Sequence, residues 1–256
     1  MRKIIRNLYV RWLRPHLKQE LTRQRVKLMY WVWKYWPFLR SPLWPLSSRL
    51  AVLKRFLAID WNVLHAHRPD EICHIFRVLS ERRAAAGEVM VEAGCFNGGS
   101  TAKFSILCQR LGYQLQVYDS FQGVEPMSED AKADNFDFSG TYTSSKEIVI
   151  NNVRTYGELG VCTFHPGWFA DTLAVHPVRE PVRVAYIDCD VAKGTAEVLQ
   201  GVSPSLTPDA CVFSQDFHIA PVRDLLLSAD TWSHVQKPHP QVRQLSEQLA
   251  AIRFET

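Results

Sequence analysis

The feature that most constrains the fold is an alternation, from Gly87 onward, of short apolar runs with segments of helical periodicity. Alternation of this kind is typical of a parallel sheet that helices cover on both faces. The sequence therefore predicts an α/β fold with a mostly parallel central sheet, whose ligands bind outside the carboxyl ends of the strands. The predicted strands are residues 88–94, 113–121, 161–167, 182–190 and 210–217.

Acidic side chains come at the ends of three of these runs. Asp188 and Asp190 end VRVAYIDCD, Asp119 follows YQLQVY, and Asp216 lies near the end of ACVFSQDF. Because an unpaired carboxylate is costly to bury, a buried strand does not end in paired acids without a partner. A metal ion, a proton to be transferred, or only solvent at the edge of the sheet could be that partner. The residues alone leave these alternatives open.

A glycine-containing turn, VEAGCFNGGSTAKF, joins the first predicted strand to the first helix of the sheet. Gly94, Gly98 and Gly99 let a ligand approach the backbone, but the spacing is neither GxGxxG nor a phosphate-binding P-loop. Glu92 precedes the turn, and Asp119 is placed to bind ribose hydroxyls. These features fit S-adenosylmethionine, which has an adenosine and a cationic sulfonium but no phosphate. A purely structural turn is the alternative.

Five segments, taken in order and spacing, resemble the macrocin O-methyltransferase (TylF-type) family. They are VEAGCFNGGS, YDSFQGVEP, NNVRTYGELG, HPGWFADTLA and YIDCDVAKGT, and the resemblance covers roughly residues 60–235. It implies a Rossmann-like class I methyltransferase fold that uses S-adenosylmethionine and a divalent metal, usually Mg²⁺. Members of the family methylate sugar hydroxyls of natural products, so the implied acceptor is a glycosylated metabolite or glycolipid.

The resemblance also implies roles for individual residues. Asp188 and Asp216 would bind the metal together with Gln215, which stands where the family usually has an acid. Asp190 would be the general base, and His218 an alternative base or a nitrogen ligand. Residues 123–142 resemble the family's mobile lid. The implied cofactor site consists of Glu92, Gly94, Gly98, Ser100, Asp119, Ser120 and Phe121.

Two other functions remain open from the sequence. One is methylation of a phenolic or catechol acceptor by the same metal-assisted chemistry. The other is a non-catalytic, methyltransferase-like binding module, which Gln215 favours and the intact Asp119, Asp188 and Asp190 disfavour.

Residues 1–58 are predicted to form a basic, tryptophan-rich helical extension of a methyltransferase domain at residues 59–256. Residues 1–60 contain many Lys and Arg but only two acids, Glu20 and Asp60, so this segment is strongly basic. The whole chain carries a net charge of +4. Aromatic and basic residues together suit peripheral contact with a membrane or glycolipid through residues 1–50. Packing on the body or formation of a homo-oligomer is the alternative, and no motif indicates nucleic acid as a partner.

Six cysteines are scattered singly, without the CxxC pairs of zinc sites, which favours a reduced, cytoplasmic location. No signal peptide or stretch of membrane-spanning length is expected. Helices are predicted to break near Arg68-Pro69, since the residue before proline disfavours helical backbone. His65, His67, Asp70 and His74 could suggest a metal cluster around this break, but a lead-in loop and helix is the preferred interpretation.

Overall fold

The computed structural model describes residues 20–126 and 137–254, with side chains from residue 24 onward. Part of the predicted extension and part of the predicted lid, including Glu129, Asp130 and Asp134, lie outside the described residues. Before Gly87, the described chain forms helices α1 (Glu20–Lys34), α2 (Trp36–Leu39), α3 (Leu46–Asn62) and α4 (Pro69–Leu79).

Strands and helices alternate in the rest of the chain, as predicted. The elements are β1 (Val89–Ala93), α5 (Gly99–Leu111), β2 (Gln114–Asp119), α6 (Lys146–Tyr156), β3 (Cys162–Pro166), α7 (Phe169–Thr172), β4 (Val182–Ile187), α8 (Ala192–Val202), β5 (Leu206–Ser214), α9 (Ala220–Leu227), α10 (Ala229–His234), β6 (Gln241–Gln244) and β7 (Ala250–Arg253).

One seven-stranded sheet has the strand order β3-β2-β1-β4-β5-β7-β6. Strands β1 to β5 pair in parallel, whereas β7 is antiparallel to both of its neighbours. The predicted mostly parallel α/β sheet is confirmed. Because β2 and β4 lie on opposite sides of β1, the strand order reverses there, which is where open α/β sheets bind ligands.

Both faces of the central strands are buried, which explains why β4 is mostly apolar; its one charged residue, Arg183, is also buried. On one face, Val184 and Phe213 pack in a core with residues of α2 to α6. On the other face, Ile187 and Val212 pack with residues of α8 to α10. The alternation of strand side chains therefore divides the core into two layers around the sheet.

The N-terminal helices share the first of these cores. The ring of Phe38 lies 5.7 Å from that of Phe56 and 4.6 Å from that of Phe76. Helix α3 continues past residue 58, and α4 begins at Pro69, so the predicted break at Arg68-Pro69 is confirmed. The domain boundary at residue 58 stays a prediction. None of the described helices is both long and apolar enough to cross a membrane.

Candidate active site

Gly94 brings the carboxyl ends of β1 and β4 into contact. Its φ is +87°, and a Cβ at this position would overlap the backbone oxygen of Asp188. The Asp188 amide donates to the Ala93 carbonyl at 2.9 Å. Only glycine combines this backbone conformation with so close an approach. The turn after β1 and the acids after β4 therefore meet at one edge of the sheet.

Glu92 is fully buried in β1, and neither of its carboxylate oxygens has a hydrogen-bond partner among the described residues. Burial raises the pKa of this carboxyl to about 8, although the neighbouring Ser100 and Thr101 hydroxyls act in the opposite direction. A buried carboxyl without a well-formed hydrogen bond is unusual in a folded protein. The group is suited to a positively charged ligand at the adjacent turn.

Asp119 is held rigidly at the end of β2. Its Oδ2 accepts the Cys95 amide and its Oδ1 accepts the Phe121 amide, both at 2.7 Å. Each carboxylate oxygen keeps capacity for a further hydrogen bond. The carboxylate is thus fixed beside the glycine turn, with capacity left for ligand hydroxyls.

Asp188, Asp190 and Asp216 form a cluster at the ends of β4 and β5. Asp216 Oδ2 accepts the amides of Cys189 and Asp190, both at 2.8 Å, which fixes the loop that carries Asp190 at a positive φ of 61°. Burial raises the pKa of Asp190 to about 6. Burial and the negative charge of Asp190 raise the pKa of Asp216 to about 7. Burial and both neighbouring acids raise the pKa of Asp188 well above its ordinary value. A cation would relieve this repulsion.

Gln215 lies at the pocket wall, but its amide is engaged in a buried network. Its Oε1 accepts the Tyr186 hydroxyl at 3.0 Å, and its Nε2 donates to Glu71 Oε2 at 3.0 Å and to Gln248 Oε1 at 3.4 Å. These contacts give Gln215 a role in binding the Glu71 carboxyl and add no support to its predicted role as a metal ligand.

A single pocket brings together most of the predicted site residues. Those that line it are Gly94, Ser100, Asp119, Ser120, Asp188, Asp190, Gln215, Asp216 and His218. Glu92, Gly98 and Phe121 are not among the lining residues. Trp168 and Phe169, which follow β3, also line the pocket, as does Glu125 from the start of the predicted lid.

Part of the pocket wall was not predicted. His65, His67 and Gln248 line the pocket, as does Tyr142, the last residue of the predicted lid. The ring of Tyr142 lies edge-on to Phe96, with the centroids 5.5 Å apart. No local pattern marks His65, His67 or Gln248 as pocket residues, because each is brought there by contacts that are distant in sequence.

The predicted lead-in loop passes beside a buried charged cluster. Lys103 Nζ contacts Asp60 Oδ1 and lies 2.7 Å from His67 Nε2, while His65 Nε2 lies 2.9 Å from Asp60 Oδ1. Asp70, by contrast, pairs with Lys34 at 2.7 Å. The four residues considered as a metal cluster are therefore divided between different contacts.

One group of three metal-ligating side chains comes together among the described residues. Asp60, His65 and His67 have potential ligand atoms within 4.8 Å of one another. The Lys103 ammonium already occupies the place of a cation there. Asp188 and Asp216 do not belong to this group, and their role as metal ligands stays a prediction.

Known proteins of related sequence match the central part of the chain. The macrocin O-methyltransferase (TylF) family model matches residues 74–245. The 8-demethyl-8-(2,3-dimethoxy-alpha-L-rhamnosyl)-tetracenomycin-C 4'-O-methyltransferase of Streptomyces olivaceus is 30% identical over 53% of this chain and 55% of that protein. The demethyldecarbamoylnovobiocin O-methyltransferase of Streptomyces niveus is 28% identical over 52% of this chain and 53% of that protein. The chain thus spans about half the length of these relatives.

Solved structures give the fold. The O-methyltransferase NovP superposes with a TM-score of 0.62 at 20% identity, covering 74% of this chain and 81% of that chain. The calicheamicin methyltransferase CalS11 gives 0.56 at 17% identity, covering 94% and 95%. The expected Rossmann-like class I methyltransferase fold is confirmed. Because the family model spans more than half of the chain, the protein belongs to the macrocin O-methyltransferase (TylF) family.

Proposed function

We propose that this protein is an S-adenosylmethionine-dependent O-methyltransferase that methylates a sugar hydroxyl of a glycosylated metabolite or glycolipid with the help of a divalent metal. The observation that carries the proposal is the convergence of Asp119, Asp188, Asp190 and Asp216 on one pocket at the carboxyl ends of the strands. Family membership and the sugar O-methyltransferase names of relatives support the choice of reaction.

The residues around the glycine turn fit the cofactor. S-adenosylmethionine, when bound, supplies a methyl group on a cationic sulfonium. Glu92 is buried two residues before Gly94 and does not itself line the pocket, and a positive charge at the expected methionine end would compensate its burial. Asp119, held by two backbone amides, is placed to accept hydrogen bonds from ribose hydroxyls.

The acids after β4 and β5 fit a hard divalent cation in their chemistry. Asp188 and Asp216 would hold it, because carboxylate oxygens are ligands that Mg²⁺ prefers and the site needs few of them. Burial and then mutual repulsion raise the pKa values of these acids, and a cation between them would neutralise the repulsion. Bound there, it would orient neighbouring acceptor hydroxyls and lower their pKa.

Asp190 would receive the proton of the acceptor hydroxyl. A hydroxyl of a sugar is a weak nucleophile, so removal of its proton during methyl transfer lowers the barrier. The pKa of about 6 keeps Asp190 mostly ionised at neutral pH and still basic enough to act. Asp216 fixes the loop through the Asp190 amide and so holds the base in position.

We also propose that the protein works in a reducing, cytoplasmic environment. The six cysteines are all free thiols, and five of them are buried. They pack as small apolar residues rather than as partners in disulfides.

The test is transfer of labelled methyl groups from S-adenosylmethionine to an extract of the source organism, divided into aqueous and lipid fractions. We expect Asp190→Asn to lower the rate by about 10²–10⁴-fold while binding of S-adenosylhomocysteine in a calorimeter is unchanged. Asp224→Asn, at an exposed acid outside the pocket, is the matched control.

Two results would contradict the proposal. Wild-type rates in Asp190→Asn would remove this residue from the role of base. Absence of S-adenosylhomocysteine binding to the wild-type protein would favour a non-catalytic binding module.

A further inference from the structure

Helix α3 exposes apolar side chains that the core does not use. Leu46 is 55% exposed and Leu50 51%, and Trp61 and Leu64 are 45% and 73% exposed. Contiguous exposed apolar surface on a folded protein marks a site of contact with another molecule or a membrane. The side chains on the opposite side of α3, such as Phe56 and Ile59, are fully buried.

The exposed residues of α3 form one stripe along the helix. Positions 46, 50, 57 and 61 differ by four or seven residues, so their side chains lie on the same side, and Leu64 follows just after the helix ends. Lys54 falls on this stripe, between Leu50 and the half-buried Leu57. The helix has 17 residues, which gives the stripe a length of about 25 Å.

Positive charge accompanies this stripe. Lys54 lies on the stripe, and Lys27 Nζ lies 5.9 Å from the ring centroid of Trp61; both lysines are exposed, and no salt bridge to either occurs in the part of the chain that the structure describes. Asp60, the acid within residues 24–64, is buried against Lys103. The surface is therefore apolar and cationic together, which is complementary to the headgroup region of an anionic bilayer.

The stripe leads to the mouth of the pocket. Leu64 directly precedes His65 and Ala66, which line the pocket. A bilayer in contact with the stripe would thus lie beside the entrance to the proposed active site.

We propose that this stripe (Leu46, Leu50, Lys54, Trp61 and Leu64, flanked by Lys27) binds the surface of an anionic phospholipid bilayer, with α3 lying in the interface. A second copy of the chain fits less well, because a two-fold contact would place one apolar and cationic surface against another, with no acid among the residues of the stripe to pair with Lys54. Binding of the stripe to a bilayer is independent of the proposed function. Access of a membrane-bound glycolipid to the pocket as a methyl acceptor rests on the proposed function.

The test is flotation of the full-length protein with vesicles of phosphatidylcholine alone or mixed with phosphatidylglycerol. We expect binding to the mixed vesicles, weakened by added salt. Leu46→Glu/Leu50→Glu should lower the partition coefficient by roughly tenfold or more, because two apolar side chains no longer enter the interface. Lys54→Gln should lower it by about fivefold, the equivalent of about 1 kcal/mol.

Val175→Glu is the matched control, because Val175 is 63% exposed and lies outside the stripe. It should leave the partition coefficient unchanged. Circular dichroism of every variant shows that each is folded, and binding of S-adenosylhomocysteine, measured separately, tests the proposed function. A folded variant that loses vesicle binding supports the stripe, whether or not the protein binds the cofactor.

Three results would overturn the proposal. The first is no binding of the wild-type protein to anionic vesicles at low salt. The second is equal loss in Val175→Glu and in Leu46→Glu/Leu50→Glu. The third is a wild-type dimer in sedimentation that Leu46→Glu/Leu50→Glu converts to a monomer without any vesicle binding, which would assign the stripe to a contact between copies.

Discussion

Replacement of Lys103 by methionine tests whether the buried charged cluster holds the N-terminal helices on the cofactor turn. Lys103 belongs to α5, directly after the turn, whereas Asp60 belongs to α3, and both side chains are fully buried. The Tyr35 hydroxyl donates to Asp60 Oδ2 at 2.9 Å from the segment between α1 and α2. Methionine keeps the apolar stem of lysine and removes only the ammonium.

The expected cost follows from the burial of the carboxylate that remains. Burial alone would raise the pKa of Asp60, but Lys103 and His65 bring it below its ordinary value of 3.8. Removing one partner of a buried ion pair typically costs about 3–5 kcal/mol, because the other charge is left uncompensated. Protonation of His65, 2.9 Å from Asp60, would recover part of this loss, so we expect about 2–4 kcal/mol.

Urea unfolding followed by circular dichroism measures this loss, with Lys193→Met as the matched control. Lys193 pairs with Glu125 at 2.5 Å, but its side chain is 63% exposed, so its loss should cost under about 1 kcal/mol. A carboxyl with a lowered folded-state pKa contributes stability above its unfolded-state pKa and loses it as the pH falls through the lower folded-state value. The difference between wild type and Lys103→Met should therefore shrink in acid. A loss of unfolding free energy below about 1 kcal/mol in Lys103→Met at neutral pH would contradict this reasoning. It would show that the attraction between Lys103 and Asp60 does no more than offset the desolvation of the ammonium.

Two further predictions concern ligands of the pocket. Since the pKa of Glu92 is raised from 4.5 to about 8, its contribution to stability is fully present below the unfolded-state value and is lost as the pH rises through 8. Glu92→Gln should flatten this fall in melting temperature with pH and weaken S-adenosylmethionine binding in a calorimeter; an unchanged slope would place the titrating group elsewhere. Chelation with EDTA should suppress methyl transfer and Mg²⁺ should restore it, with binding of S-adenosylhomocysteine unaffected, whereas full activity in EDTA would remove the metal from the reaction.

Local patterns predicted the elements that form the site. Strands β1 to β5 and the acids at the ends of β2, β4 and β5 could be read from the sequence, because these strands are rich in apolar residues and polar residues mark their ends. Parallel pairing then places the carboxyl ends of neighbouring strands at one edge of the sheet. This is why Asp119, Asp188 and Asp216 were expected to lie together.

The missed features depend on contacts between distant residues. β5 begins at Leu206 instead of residue 210, across Thr207, Pro208 and Asp209, because Asp209 pairs there with Arg82 at 2.8 Å. The short strands β6 and β7 have no clear pattern of apolar residues in the sequence. Strand β6 lies at the edge of the sheet and pairs with β7 alone. His65 and His67 reach the pocket through Asp60 and Lys103, which no spacing along the chain reveals.

Gln215 illustrates how a distant contact explains a departure from the family pattern. The Glu71 carboxyl is fully buried and accepts the Arg68 amide at 2.7 Å, the Ser246 hydroxyl at 2.7 Å and the Gln215 amide at 3.0 Å. A second acid at position 215 would face this carboxyl at hydrogen-bond distance. Two carboxyls so close cannot both ionise, and one must bind a proton at neutral pH.

We therefore expect Gln215→Glu to lower the free energy of unfolding by about 2–4 kcal/mol without strengthening Mg²⁺ binding in a calorimeter. The exchange Glu71→Gln/Gln215→Glu should recover most of this loss, because it keeps one amide and one carboxyl in contact. A gain in Mg²⁺ affinity with undiminished stability would show that the new carboxyl turns into the pocket and ligates the ion. In that case, Gln215 would be a change that weakens metal binding. The expected result instead explains Gln215 as the residue that lets Glu71 be buried beneath the site as a carboxylate.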